Sequence, residues 1–595
     1  MKKIAHIWSS FDIAVILCTL VLYGTAVHLL QPIVLPSTLS VWGTKELISV
    51  QDLHSPIAYK GLLYLNLNVR MRWIRPSTLH LEVYDCLLGL SMNGEQMVQN
   101  RLTKCDLTDD APILQGTTMP RRGLNTLKIT ALNTTGKRGV RFTVPQTDPL
   151  MLALNLVLLG VIGLNIWKGI RKTPLWQKHQ NLVWIFFGGM FLRGFYMLST
   201  HIWERSYDWE GHWDYVLYVL QHWKIPLASE GWQYYQPPLY YFINALALSP
   251  ATLFHDEYLL MRLAQVLSLS MSIAALGAGI WIGTLLFRSE EKQKRLLFAA
   301  GIAFFPGLVF HASRVSNDTL LLLISFLFFG FLYRWWMRGS ERDLLIASVC
   351  AACGLLTKSS ALPLAALLLF CAFTHELRMP GHWRDSLRNF LLCFSILFAL
   401  TGWHYTLRFV VERNIHIIGN IGTNNPELFI DTIEAKNFYT FRPIAVLLQP
   451  FNNSYTDRMG RRFFWEHLTK SSLAGEWELG EDLYTIIQFL LMLMMLFAVF
   501  GIAGLMRTIR CQLRAGLPVL AAGAVLLGSM MALIIQKPVG GLQDFRYIPL
   551  LAVPVLYCIL QGIDVLPKRV RNIPVLLLLS YDTLCVAFLI VLLAH

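Results

Sequence analysis

Charge is what this sequence is short of. Only 15% of its 595 residues are Asp, Glu, Lys or Arg, against about a quarter in soluble globular domains. That shortage excludes an ordinary water-soluble protein. Acids are scarcer than bases, 37 against 51, which leaves a net charge of +14. The surplus cations form no continuous basic face of the kind nucleic-acid binding requires, so no nucleic-acid partner is expected. Cysteine is sparse too: ten residues without the two paired Cys or Cys/His motifs of a zinc module. Most of them lie in apolar runs, where Cys acts as a small hydrophobe. Cys86 and Cys105 alone fall in a polar stretch, where a disulfide is open if that stretch lies outside the cytoplasm.

What is abundant is apolar sequence: 55% hydrophobic residues, with a mean hydropathy of +0.48. Runs of about 20 apolar residues match the thickness of a bilayer. The opening residues are basic and lead into a run at 11–30 too long for a signal peptide, so 1–30 reads as an uncleaved anchor with its amino end inside. Further spans are expected at 149–167, 181–200, 260–287, 294–312, 318–337, 342–357, 360–376, 389–406, 484–506, 516–535, 544–563 and 573–594, about 13 in all. Lys and Arg gather in "KGIRK" (168–172), "RSEEKQKR" (288–295), "RWWMRGSER" (334–342), "RTIRCQLR" (507–514) and "PKRVR" (567–571). Alternating the spans puts all five on the cytoplasmic side, as the positive-inside rule asks. The apolar segment 237–254 breaks that alternation if counted as a span. It is therefore expected as a juxtamembrane or re-entrant helix, with Pro237 and Pro238 at its start.

Residues 31–148 contain no span. "YLNLNVRMRW", "TLHLEVYDC", "LNTLKITAL" and "KRGVRFTV" alternate polar and apolar residues between turn signals, the pattern of an extracytoplasmic β-sandwich. Parts of it look like the strand pairs of jelly-roll carbohydrate-binding modules, although fold likeness alone says little about a ligand. A second span and basic loop occupy 149–180, and a membrane domain fills 181–565 with outer loops at 201–259 and 407–483. Residues 566–595 form a cytoplasmic loop and the last span.

The loop 201–259 carries the densest ionisable chemistry. "YDWEGHWDYVLYVLQHWKIP" (207–226) places Asp208, Glu210, His212 and Asp214 within seven residues. Helical periodicity over 209–223 aligns Trp213, Val216, Leu217, Leu220 and Trp223 on one face, which suits a helix lying in the membrane interface. Asp208 has two readings. It is a favoured residue for capping the helix. It is also a carboxylate near the headgroups, able to act as a general base whose basicity burial would raise. His212, four residues on, is spaced to bond to it or to serve as an interfacial side chain. Asp208 and Glu210 together could also hold a divalent metal with water.

The same stretch, followed by "EGWQYYQPPLYYF", resembles the first outer loop of bacterial GT-C-fold glycosyltransferases. It is most similar to the family-39-like, polyprenyl-phosphate-dependent enzymes related to protein O-mannosyltransferases and the lipid A aminoarabinose transferase. Asp208, Gly211, His212, Tyr215, Gln236, Pro237, Pro238, Leu239, Tyr240 and Tyr241 carry the pattern. "SNDTL" (316–320), "GLLTKSSA" (354–361) and "FRYIPL" (545–550) also resemble that class. The resemblance implies a polytopic α-helical GT-C-like fold and a sugar donor on polyprenyl phosphate. It implies an acceptor lipid, glycan or protein, and an active site on the extracytoplasmic side of a bacterial inner membrane. Asp208 then maps to the catalytic acid of the loop, with Glu210 and His212 beside it. Arg546 and Lys358 map to the donor phosphate, and Arg262 and Arg314 are further cations near outer span ends. Tyr215, Gln236, Tyr240 and Tyr547 are candidate substrate contacts. Two other classes stay open: a transporter or flippase for a lipid-linked glycan, and a non-catalytic sugar-binding envelope protein.

Overall fold

A computed structural model describes residues 149–593 apart from 203, 255–256, 376–382, 416–433, 452–459, 478, 481–482 and 540. Before residue 149 it describes nine strands between 33 and 143 and six positions between 18 and 26. Most of the expected first span, 11–30, and the Cys86–Cys105 pairing lie outside the described residues. The chain divides into two compact units, Met1–Thr173 and Pro174–His595.

The first unit holds two antiparallel sheets. One has the strand order β2-β1-β3-β8-β5-β6 and the other β7-β4-β9. The strands are β1 (Ile33–Val41), β2 (Leu47–Val50), β3 (Gly61–Met71), β4 (Leu79–Val83), β5 (Cys86–Met92), β6 (Glu95–Gln99), β7 (Ile113–Leu114), β8 (Gly123–Asn133) and β9 (Val140–Thr143). Alternation made β3, β4, β8 and β9 legible. In β3 and β8, Leu63, Leu65 and Leu67 stand opposite Ala131, Ile129 and Leu127 in unbroken register. That register keeps apolar residues opposite apolar ones along a sheet with period two. β1 escaped notice because Pro36 interrupts it. The pairing with β3 shifts register between Leu35 and Thr38, the kind of bulge at which a strand tolerates proline. The unit ends in helix α1 (Pro149–Arg171), 23 residues with Pro at its start and Lys168 and Arg171 in its last turn.

The second unit is helical. Its helices of ten residues or more are α2 (Pro174–Leu198), α3 (Trp209–His222), α4 (Leu239–Leu248), α5 (Glu257–Leu286), α6 (Lys292–Phe304), α7 (Asn317–Arg338) and α8 (Glu341–Thr357). They continue with α9 (Leu362–Thr374), α10 (Trp383–Glu412), α11 (Phe464–Ala474), α12 (Tyr484–Cys511), α13 (Leu513–Gln536), α14 (Ala552–Ile563) and α15 (Asn572–Leu592). Among the described residues, α1, α2, α5, α7, α10, α12, α13 and α15 are long and apolar enough to cross a bilayer. The chain is thus a polytopic α-helical membrane protein. The segments expected at 342–357, 360–376 and 544–563 are helices shorter than 18 residues, and 237–254 is a short apolar helix as well. Cys350 and Cys353 stand three apart within α8 as free thiols, a spacing absorbed by an apolar helix.

The span expected at 294–312 is broken by a bend of 59° between α6 and Pro306–Ala312. Pro306 has no N–H to donate, so the carbonyls of the preceding turn lose helical partners. Arg193 of α2, 1% exposed, supplies replacements. Its guanidinium donates to the carbonyls of Ala303 at 2.6 Å and Ile302 at 3.2 Å. A broken membrane helix is tolerated where such groups are satisfied again.

α7 and α8 form a hairpin. Gly339 (φ 70°) closes α7 in the left-handed conformation, its N–H bonded to the Trp335 carbonyl at 2.7 Å, the usual glycine termination. Arg334 pairs with Asp343 across that turn. The same end of the bundle collects the other basic runs. Asp564 receives Lys294 at 2.5 Å, Arg507 at 2.5 Å and Arg571 at 3.5 Å, while Trp336 donates to the Arg514 carbonyl at 2.8 Å. Four of the five basic clusters therefore meet at one end, as the positive-inside pattern anticipates. α12 and α14 cross at Gly504 and Gly562. A Cβ at either would fall 1.8 or 1.9 Å from a carbonyl oxygen of the other helix, a close approach that small residues permit in membranes.

Burial alone would raise the Asp564 carboxyl, but Lys294 and Arg507 outweigh it and hold it below its ordinary value. Its contribution to stability is complete above the unfolded carboxyl pKa, about 3.9, and is lost as pH falls through the folded value. Asp564→Asn is expected to cost about 1 kcal/mol at pH 7. The check is the thermal midpoint in detergent, where the deficit should close as the pH is lowered below about 4.

Candidate functional site

The site begins where α2 gives way to α3. Arg205 (φ 49°) and Asp208 (φ 52°) both occupy the left-handed region, which costs a non-glycine residue energy and recurs at functional sites. The Asp208 carbonyl accepts from the His212 N–H at 3.1 Å and so starts α3. Its side chain makes no capping hydrogen bond. The capping reading is overturned: the backbone conformation turns the carboxylate away from the helix amino end. It lies instead 3.8 Å from the Arg546 guanidinium, with 34% of its side chain accessible. Burial pushes the Asp208 carboxyl up from its ordinary value, against the pull of Arg546 and Lys358.

α3 has the expected extent, but its buried face is rotated from the one expected. Gly211, His212, Trp213, Tyr215, Val216 and Val219 are buried, while Trp223 is half exposed. The reason is α4, whose Tyr241 stacks on Tyr215 with 3.7 Å between ring centres. The Tyr241 hydroxyl is also 2.8 Å from Nδ1 of His212. His212 therefore engages Tyr241, and burial lowers it to about 3, so its imidazole is neutral at physiological pH. The Tyr215 hydroxyl reaches the Gln236 carbonyl at 3.5 Å. The Gln236 amide donates to Gln233 and Tyr235 and accepts from Asn317 at 3.2 Å, which ties the Q-P-P-L-Y-Y segment to the start of α7. Tyr240 is fully buried beside Tyr241. Arg408 of α10 holds the intervening loop through the carbonyls of Pro226 and Tyr234.

Three further segments complete the cluster. Asp318 stands in the first turn of α7 and Lys358 at the end of α8, where the backbone turns extended (φ −158°, ψ 138°). The two meet at 2.5 Å, both buried. Lys358 lies 4.8 Å from the Tyr547 ring centre. Arg546 and Tyr547 belong to the short turn Phe545–Tyr547, which Asp544 caps by accepting from the Arg546 N–H. The Arg546 guanidinium rests 3.8 Å from the Tyr207 ring centre, donates to the Tyr547 hydroxyl at 2.9 Å, and has Asp544 at 3.7 Å. Tyr207 is fixed in turn. Trp477 stacks on it at 4.4 Å, and its hydroxyl accepts from the Glu476 N–H at 2.6 Å. Gly475 (φ 72°) makes that approach possible, since a Cβ there would strike the Trp477 ring.

The structure thus brings Asp208, Lys358, Arg546 and Tyr547 together, with Gln236 linked through Asn317. Arg314 joins through Tyr207, whose ring centre is 4.9 Å away. Glu210 sits half-buried in the first turn of α3, where a carboxylate suits the helix dipole. Arg262 is placed elsewhere. It donates to the Thr200 and Leu198 carbonyls and to Gln265, and so clamps the end of α2. The sequence left open a divalent metal on Asp208 and Glu210. Among the described residues no three His, Cys, Asp or Glu side chains group to hold an ion, and the neighbours of Asp208 include two cations.

Tyr207, Asp318, Asp544, Glu476 and Trp477 were not singled out from the sequence. Asp318 and Asp544 carried a usable signal, since each opens an expected span and acids at such depth are functional candidates by default. Nothing in a single sequence marks Tyr207.

No family model matches the chain, and no curated protein matches it. Among solved structures, the Archaeoglobus fulgidus oligosaccharyltransferase, in complex with Zn and sulfate, is 14% identical over 69% of this chain and 53% of its own, with a TM-score of 0.40. A second structure of the archaeal enzyme, AglB with an inhibitory peptide and a dolichol-phosphate, aligns at 11% identity over 71% and 56%, also at 0.40. ArnT from Cupriavidus metallidurans, bound to undecaprenyl phosphate, aligns at 13% identity over 68% and 76%, at 0.32. The chain spans about half the length of the archaeal enzyme it aligns with. Overlaps of that size settle no chemistry, which must come from this chain's own side chains.

Because Arg546 holds the Asp208 carboxyl down against burial, removing that charge should raise it further. Infrared titration of the carboxylate band, with Asp208→Asn as the reference, should show Asp208 protonating at higher pH in Arg546→Gln than in the wild type.

Proposed function

We propose that this chain is an integral-membrane glycosyltransferase. It moves a sugar from a polyprenyl-phosphate carrier to an acceptor lipid, glycan or protein on the extracytoplasmic face of a bacterial inner membrane. The observation that carries this is the approach of the Asp208 carboxylate to Arg546 at 3.8 Å, beside the Lys358–Tyr547 contact. A base and cations for a leaving phosphate are what sugar transfer from such a carrier requires. The sequence resemblance of the Asp208 and Q-P-P-L-Y-Y motifs supports the same reading.

In this reading the acceptor hydroxyl gives its proton to the Asp208 carboxylate as its oxygen bonds to the anomeric carbon. The bond from that carbon to the carrier's phosphate oxygen breaks, and its electron pair stays on that oxygen. Arg546 and Lys358 stabilise the charge developing there, in a site shielded from bulk water. Attack opposite the departing oxygen inverts the anomeric centre. Tyr547 orients both cations, and His212, neutral and bonded to Tyr241, positions α3. No step is routed through a metal.

The charge along α7 supports the extracytoplasmic side in this reading. Asp318 lies at its amino end and Arg334 near its carboxyl end, about 24 Å apart along a helix. The basic clusters gather at the Arg334 end, which by the positive-inside rule supports an extracytoplasmic Asp318 end.

Asp208→Asn is expected to abolish transfer and to keep binding of the carrier, measured by mass spectrometry of products and of protein-bound lipid. Substantial residual turnover would move the base to Glu210 or Asp214. A chain that binds no polyprenyl phosphate would end the transferase reading.

A further inference from the structure

We infer that Asp544 is a positioning residue: it is the second carboxylate on Arg546, and it keeps that guanidinium from closing on Asp208. This rests on the transferase reading and deepens it. An Asp208 bridged to Arg546 would be a poorer base and would leave no guanidinium for a phosphate.

Asp544 lies two residues before Arg546 and is 2% exposed. Its Oδ1 accepts from the Arg546 N–H at 3.0 Å and so caps the turn Phe545–Tyr547. That turn is anchored on α11, where the Ser471 hydroxyl accepts from the Phe545 N–H at 3.1 Å. Capping occupies one oxygen only. Oδ2 has no hydrogen bond and stands 3.7 Å from Nε of Arg546, which has none either. A buried polar atom in that state calls for a reason.

The reason lies on one edge of the guanidinium. Nε and Nη2 form the edge through which an arginine grips a single carboxylate with two parallel bonds. Here the edge is divided. Asp544 faces Nε at 3.7 Å and Asp208 faces Nη2 at 3.8 Å, while the Tyr547 hydroxyl accepts from Nη2 at 2.9 Å. Neither acid is within hydrogen-bond reach, so the cation is drawn toward two anions and bonded to neither. Asp544 is fixed by its cap, whereas the Asp208 side chain is 34% accessible. Without the charge at position 544, Asp208 is the one carboxylate among the described residues within ion-pair distance of Arg546, and the pair can close. Lys358, Asp318, Glu476, Tyr235 and Tyr547 also act on Asp208, and Glu476, His467 and Tyr207 on Asp544. The variants below leave all of these in place.

The test uses the full chain in detergent and two readouts. Asp544→Asn keeps the capping oxygen and loses the charge. Infrared titration, with Asp208→Asn variants as references, should show Asp208 protonating about one pH unit lower in Asp544→Asn than in the wild type. Native mass spectrometry with undecaprenyl phosphate, carrying no sugar, should show about tenfold weaker binding in Asp544→Asn, because Asp208 then occupies the guanidinium. In the double variant Asp208→Asn/Asp544→Asn binding should return to the wild-type level or above. Removal of an anion without closure would instead tighten binding of a phosphate. An Asp208 titration that is unchanged, as a protonated Asp544 would give, or that is raised, overturns the inference. So does equal or tighter binding in Asp544→Asn. Should that variant fail to fold, Asp544→Ser, which also supplies a capping oxygen, takes its place with the same expectations. A wild type that binds no undecaprenyl phosphate sinks the transferase reading, and the titration then decides the role of Asp544 alone.

Discussion

A carboxylate and a guanidinium held near each other without a hydrogen bond between them is the arrangement on which the site depends. At 3.8 Å the Asp208 carboxylate feels the Arg546 charge but is not consumed by it. Its protonation state is a balance between burial and attraction, and each partner keeps lone pairs or N–H groups for something else. The surroundings maintain that distance. A left-handed residue starts α3, Tyr207 supports the guanidinium, and the Gly475–Trp477 segment supports Tyr207. Were the pair to close into a bidentate bridge, both groups would be spent on each other.

The charge distribution over the second unit has the same economy. At one end Asp564 draws three cations, from α6, α12 and the turn before α15, a tight structural knot. At the other end Lys358–Asp318, Arg408–Glu412 and Arg442–Glu466 are bonded closely as well, while Asp208 and Arg546 stand apart at 3.8 Å. Among these described pairs the same side-chain types hold helices together and, at Asp208, are left poised.

The sequence made legible what hydrophobic length and alternation control. Long apolar runs located the spanning helices, and alternation located β3, β4, β8 and β9. The helix at 341–357 has the extent expected of it, whereas the run at 544–563 is interrupted by the turn Phe545–Tyr547 and by Pro549, which an apolar run does not announce. The break at Pro306 was missed for a related reason: the donor that makes it tolerable, Arg193, lies 113 positions earlier. In the site, Asp208, Lys358 and Arg546 were reached through short motifs, and the structure groups them. Arg262, chosen for its position near a span end, serves carbonyl groups instead. Tyr207 was out of reach because its importance comes wholly from tertiary neighbours. The rotated face of α3 shows the same limit: periodicity identified the helix, but Tyr241, 29 residues away, decided which side is covered.

The α7–α8 hairpin carries a constraint of its own. Asp318 and Lys358 sit at its open end, and Gly339 closes the other. Each residue added to a helix advances it by 1.5 Å and turns it by about 100°. One amino acid inserted anywhere along α7 would swing the carboxylate to another side of the helix and strand the ammonium. The two arms are consequently locked in length, and relatives that keep this ion pair should vary freely in side chains along the hairpin while admitting no unmatched insertion or deletion between its ends.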